Sequence, residues 1–99
     1  LGVQQSTLTK FGAVSKETAL ELSRGIKKKY LSTIGLSITG IAGPTGGTDK
    51  KPVGLVYIGY SSTQNNFFRK YLFHGTRKTI KYMSAISAID LVRNELINE

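Results

Sequence analysis

"SITGIAGPTGGTDKKPVGLVYIGY", residues 37–60, decides the fold. Two apolar runs flank a connection, from about Gly40 to Pro52, that collects glycines and both prolines of the chain. A hairpin needs only about two to five loop residues, and a structureless connection of about 12 is uncommon in a compact domain unless it is functional or disordered. On its near side, Ile34-Gly35-Leu36-Ser37-Ile38-Thr39 alternates and predicts a short strand. On its far side, Val53 to Tyr60 carries apolar groups at both parities (Val53, Leu55, Tyr57 and Val56, Ile58, Tyr60). That pattern predicts a central strand covered on both faces.

Outward from this hairpin, Ser61 to Asn66 reads as a polar turn. Phe67 to Phe73 reads as a third strand, whose Arg69-Lys70 pair predicts an edge position. His74-Gly75 breaks the strand, and Thr76 caps a long helix reaching about Ile97. Ile80, Met83, Ile86, Ile89, Val92 and Leu96 form its expected sheet-facing side. Upstream, Ser6 to Phe11 predicts a short helix ending at Gly12. Ser15 reads as the N-cap of a second helix, with Glu17 in its first turn and Ala19, Leu22, Ile26 and Tyr30 along one stripe. Lys27-Lys28-Lys29 falls in the last turn of that helix, where cations complement the helix dipole. The fold class is therefore α/β: a three-stranded sheet, or a larger one if a partner completes it, with packed helices. The chain reads as one domain, 1–99, without repeats.

Composition narrows the chemistry. The chain has 99 residues and no cysteine, so disulfides, thiolate metal sites and a cysteine nucleophile are excluded. No apolar run approaches the roughly 20 residues needed to cross a bilayer, which predicts a cytoplasmic protein with no membrane partner. The net charge of +8 favours anionic partners, whether nucleic acid, a phosphorylated small molecule or an acidic protein, or else serves solubility. The opening Leu1-Gly2-Val3, without an initiator Met, reads as the interior of something rather than a start, either a trimmed protein or part of a longer one.

Gly40, Gly43 and Gly46 recur every third residue, with Gly47 beside the last. The spacing fits neither a Walker loop, since Thr45 and Thr48 stand where its second glycine would be, nor a dinucleotide fingerprint, since the segment returns to a strand at Val53 instead of opening a helix. Glycines nevertheless expose backbone N–H groups and let an oxyanion or phosphate come close, with Thr39, Thr45 and Thr48 adding hydroxyls and Lys50 and Lys51 adding charge. Catalytic equipment is sparse. His74 is the only histidine and stands at a strand end, where capping or packing suits it better than base duty. Asp49 is the only carboxylate of the loop, and no Ser-His-Asp set can be assembled. No metal site and no cofactor are expected.

"TGIAGPTGGTDKKPVGLVYIGY" resembles the signature of the CinA C-terminal domain family, the competence/damage-inducible proteins that include the nicotinamide mononucleotide (NMN) amidohydrolases. "STLTKFGAVSKETALELSRG" and "FHGTRKTIK" resemble two further family segments in the right order, so the similarity covers nearly the whole chain. The resemblance implies helices packed on a sheet and hydrolysis of NMN to nicotinate mononucleotide and ammonia. It implies Thr39 as a catalytic residue that orients substrate or water. Gly40, Ile41, Ala42, Gly43, Gly46, Gly47 and Thr48 would line the substrate, and Arg77 and Lys81 would aim at its anionic portion. It further implies an upstream half with a Ser, a Thr-Gly-Gly segment and a Tyr and Lys pair, none of which stands in these 99 residues. The chain then corresponds to the C-terminal portion of the amidohydrolase domain, with the base and nucleophile supplied from upstream. Such a portion is expected to associate with itself or with that upstream half. Phe11 and Lys81 depart from the family's usual His or Tyr and Arg, and a lysine cannot grip phosphate bidentately. The alternative is a non-catalytic module for nucleic acid or a protein partner, with Phe67 and Tyr71 beside Arg69 and Lys70 to stack bases.

Overall fold

The structure, a computed structural model, describes residues 3–98, so the apolar opening at Leu1-Gly2 lies outside the described residues. Six elements follow in order: α1 (Gln5–Phe11), α2 (Lys16–Lys29), β1 (Ile34–Gly40), β2 (Leu55–Ser62), β3 (Asn66–Leu72) and α3 (Arg77–Asn98). The strands form one antiparallel sheet in the order β1-β2-β3. Its register pairs Ile38 with Ile58 and Thr39 with Tyr57 on one side, and Ile58 with Arg69 and Tyr57 with Lys70 on the other. The α/β class, the three strands and the central place of β2 are as the sequence predicts. Every residue of β2 except Tyr57 is buried, while Arg69 and Lys70 on edge strand β3 are exposed.

Local signals account for the helix boundaries. α1 stops at Gly12, whose φ of +83° is the left-handed conformation that glycine adopts without a Cβ penalty. Ser15 caps α2 as expected, its hydroxyl oxygen accepting from the Thr18 amide at 3.1 Å. Thr76 does the same for α3 through the Thr79 amide at 3.2 Å. α1 is held by a device the sequence does not announce. Its N-cap, Gln4, offers no side-chain cap. Instead Glu21 of α2 accepts from the Gln4 amide at 2.9 Å and from the Thr7 hydroxyl.

The two long helices cover opposite faces of the sheet; α2 keeps Ala19 buried and Leu22 and Ile26 half-buried as its apolar spacing predicts but turns Tyr30 outward, and α3 departs further from its predicted side. α2 buries Thr18, Ala19 and Ser23, and Tyr30 is 65% exposed. The reason is a very close approach. Gly35 of β1 and Gly59 of β2 lie beneath α2, where a Cβ at Gly59 would stand 2.2 Å from the Ala19 carbonyl oxygen and one at Gly35 would stand 1.9 Å from that of Ser23. The Ser37 hydroxyl donates to the Ala19 carbonyl at 2.6 Å, so the helix backbone is bonded directly to the sheet. On the other face, Ile80, Ser84, Ala88 and Leu91 of α3 face inward, and Ile80, Ala88 and Leu91 join Val56, Ile58 and Tyr60 in the core. The expected apolar side of α3 is thus corrected. Ile80 is buried and Val92 half-buried, but Met83, Ile86, Ile89 and Leu96 are exposed, as are Tyr82 and Ile97.

Candidate functional site

β1 and β2 deliver the glycine-rich connection at one end of the sheet. It leaves β1 as a continued ladder, because the Ile41 amide donates to the Leu55 carbonyl at 3.0 Å and the Gly54 amide to the Ile41 carbonyl at 2.7 Å. It then turns through Gly43 and Gly46, whose φ values are +80° and +95°, with a cis Gly43-Pro44 bond between them. Gly43 and Gly47 are seated against Val53, where a Cβ on Gly43 would come within 2.6 Å of the valine side chain and one on Gly47 within 2.6 Å of its amide nitrogen. The far end is closed by Thr48 and Lys51. The Thr48 amide donates to the Lys51 carbonyl at 2.8 Å, and the Lys51 amide to the Thr48 hydroxyl at 3.0 Å. Among the described residues, the amides of Ala42, Gly43, Gly46 and Gly47 donate to no protein acceptor.

Beside this turn, on the α3 face of the sheet, lies a cavity of about 250 Å³. Gly40, Ala42 and Lys81 line it together with Ile38, Ile80 and Ser84. Arg77, one helical turn before Lys81, donates through its guanidinium to the Gly43 carbonyl at 3.2 Å. Gly40, Ala42, Gly43, Arg77 and Lys81 therefore converge, although they come from two segments separated by two strands. Ile41 has its amide and carbonyl committed to the ladder. Gly46 and Gly47 continue the same turn, and Thr48 serves its closure.

Thr39 is placed differently. Its hydroxyl donates to the Ala13 carbonyl at 2.6 Å. In the register it pairs with Tyr57, on the α2 side of the sheet, whereas Gly40 pairs with Val56 on the cavity side. Ile38 and Ser84 are cavity residues that the sequence reading passed over. The signal for Ile38 was its parity with Gly40 on an alternating strand; Ser84 gave none, because a serine inside an apolar helix reads as solvent-facing.

The remaining candidates are quickly located. His74 and Asp49 are exposed. No group of three His, Asp or Glu among the described residues is placed to hold a metal ion, and no described helix is long and apolar enough to cross a membrane. Phe67 and Tyr71 are half-buried on the α3 side, stacked on Tyr60 at 4.9 Å and on Phe73 at 5.2 Å between ring centroids. Arg69 lies over Phe67 at 4.4 Å.

Comparison with known proteins bears on the family and the fold. The family model described as CinA C-terminal domain matches residues 1–96. A CinA-like protein of Kosmotoga olearia is 53% identical over 97 residues, 98% of this chain and 24% of that protein. A CinA-like protein of Endomicrobium trichonymphae is also 53% identical over 97 residues, 98% of this chain and 23% of that protein. Among solved structures, the competence/damage inducible protein CihA from Agrobacterium tumefaciens superimposes with a TM-score of 0.91 at 34% identity, over 95% of this chain and 58% of that one. The chain thus spans about a quarter of the length of the curated relatives it matches. With the strand order, the glycine turn and these likenesses in agreement, the chain belongs to the CinA C-terminal domain family.

Proposed function

We propose that this chain is the substrate-holding portion of an amidohydrolase acting on nicotinamide mononucleotide in the cytoplasm. The reaction adds water across the carboxamide: the water oxygen bonds to the carbonyl carbon, the C–N bond breaks, and the nitrogen leaves as ammonia with a proton. Two needs follow, a grip on the phosphate and donors for the oxyanion that forms at the carbonyl. The observation that supports the reading is that Gly40 and Ala42 of the glycine turn line one cavity with Lys81, while Arg77 is bonded to the next turn residue, Gly43. In this scheme the amides of Ala42, Gly43, Gly46 and Gly47 receive the phosphate or the oxyanion, and Arg77 and Lys81 draw the anionic end of the nucleotide. Thr39 orients substrate or water, which requires that partner to reach the α2 side of the sheet, where the Thr39 hydroxyl donates to the Ala13 carbonyl. The base and nucleophile are assigned to protein outside these 99 residues, and the scheme uses no metal or cofactor.

The same reading gives the exposed apolar side of α3 a role. Tyr82, Ile86, Ile89, Leu96 and Ile97 are each at least 38% exposed, and β1 pairs only with β2 among the described residues. The proposed cover is the upstream half of the domain, with a second copy of the chain taking its place when that half is missing.

Ammonia release from NMN tests the assignment. A longer protein that carries this chain with its upstream segment should release ammonia, and the 99 residues alone should not. In the longer protein, Arg77→Met should raise KM about tenfold, since it removes a charged contact to the substrate. Turnover by the 99 residues alone would overturn the upstream base, and no turnover by any longer form would overturn the amidohydrolase.

A further inference from the structure

On the opposite face of the sheet from the glycine turn lies a second cleft, of about 500 Å³, between the junction of α1 with α2 and strands β2 and β3. Lys10, Lys16, Lys51 and Lys70 line it around two half-buried rings, Tyr57 and Phe68. The rings are tilted by 56° with their centroids 6.1 Å apart, so they form two walls rather than a closed stack. The Lys16 ammonium is 5.8 Å from the Phe68 centroid. Lys51 is anchored, its ammonium donating to the Phe11 carbonyl at 2.6 Å, which fixes one positive charge at the rim.

The charge here is uncompensated. Glu17 is the only acid lining the cleft, against four lysines. None of those lysines is ion-paired among the described residues, where the single salt bridge joins Arg93 to Asp90. A comparable groove bounded by Arg24, Lys27 and Lys28 offers charge without any ring, and the one that sets Arg69 beside Tyr71 also holds Asp90 and Glu95, which offset its charge. Lysines attract phosphate as mobile point charges, and aromatic faces accept any planar base by stacking. A mononucleotide is small enough for the volume and carries both groups.

We propose that this cleft binds a mononucleotide, its base against Tyr57 and Phe68 and its phosphate among Lys10, Lys16 and Lys70. The site shares no residue with the cavity at the glycine turn and stands independently of the amidohydrolase reading.

The test is an NMR titration of the 99-residue chain with adenosine 5′-monophosphate at moderate salt. Amide shifts should centre on Lys16, Tyr57 and Phe68. Adenosine and ribose 5-phosphate, each lacking one half of the ligand, should bind about tenfold more weakly. The exposed double substitution Lys16→Glu with Lys70→Glu should weaken the nucleotide at least as much, and Phe68→Leu should weaken it while leaving ribose 5-phosphate unchanged. The charge-matched control Lys28→Glu with Lys29→Glu should retain binding. Shifts confined to residues 40–47, or equal loss in the control, would overturn the proposal. So would a short oligodeoxythymidine that binds more tightly and shifts residues well beyond the cleft, since that would describe a strand-binding track.

Discussion

Two residues carry more of this structure than their size suggests. Gly59 permits the contact between α2 and the sheet, because any side chain there meets the main-chain oxygen of Ala19 rather than a yielding side-chain tip. Gly59→Ala should therefore cost about 1–3 kcal/mol or more in urea unfolding, as overpacking a tight interior does. Glu21 is the second. Its bonds to the Gln4 amide first, then to the Thr7 hydroxyl, hold its carboxyl below its ordinary value of 4.5. A carboxylate depressed in the folded state adds stability above its unfolded pKa and loses it as pH falls through the folded one. The chain should thus lose part of its stability on acidification below about pH 4.5, and Glu21→Gln should flatten that part of the profile, read from urea midpoints at successive pH values.

Among the elements, α3 makes the sharpest contrast. Leu91 is 8% exposed and touches the core, whereas Ile89, two residues earlier, is 63% exposed. Leu91→Ala should cost about 2–5 kcal/mol, while Ile89→Lys should stay within about 0.5 kcal/mol, both measured by denaturant unfolding at concentrations where the chain is monomeric. The same helix shows where reading from sequence works and where it stops. Caps and turns depend on local chemistry, so Ser15, Gly12 and Thr76 could be placed from their immediate neighbours. β2 declared its central position through apolar residues at both parities. The inward side of α3 depends instead on what lies under it. Val56, Ile58 and Tyr60 already fill the space, so beyond Ile80 the small Ser84 and Ala88 fit against them while Ile86 and Ile89 turn outward. The same holds for α2 over Gly35 and Gly59, where the fit is written in the strand rather than in the helix. At the site, the glycine turn and Arg77 and Lys81 could be picked out as types. That Thr39 bonds to Ala13, across the sheet from the cavity, follows from register and could not be read from spacing.

At the scale of the whole molecule, one layer is under-covered. The outward apolar side of α3 makes the 99-residue chain a candidate for concentration-dependent association. Sedimentation analysis should show mass rising with concentration, and Ile86→Lys with Ile89→Lys should return the chain to a monomer without loss of helix content. A mass that stays monomeric throughout would remove that expectation.

The bare flank of β1 has a geometric corollary. Antiparallel or parallel, an incoming segment that hydrogen-bonds along Ile34–Gly40 would be set down in steps of one residue against a fixed ruler. Its alternate side chains would fall either above Ala42 and Lys81 or beside Ala13, with nothing between. A slip of one residue would therefore send every visiting side chain to the other side, so the register of that addition would decide which of its functional groups met the glycine turn.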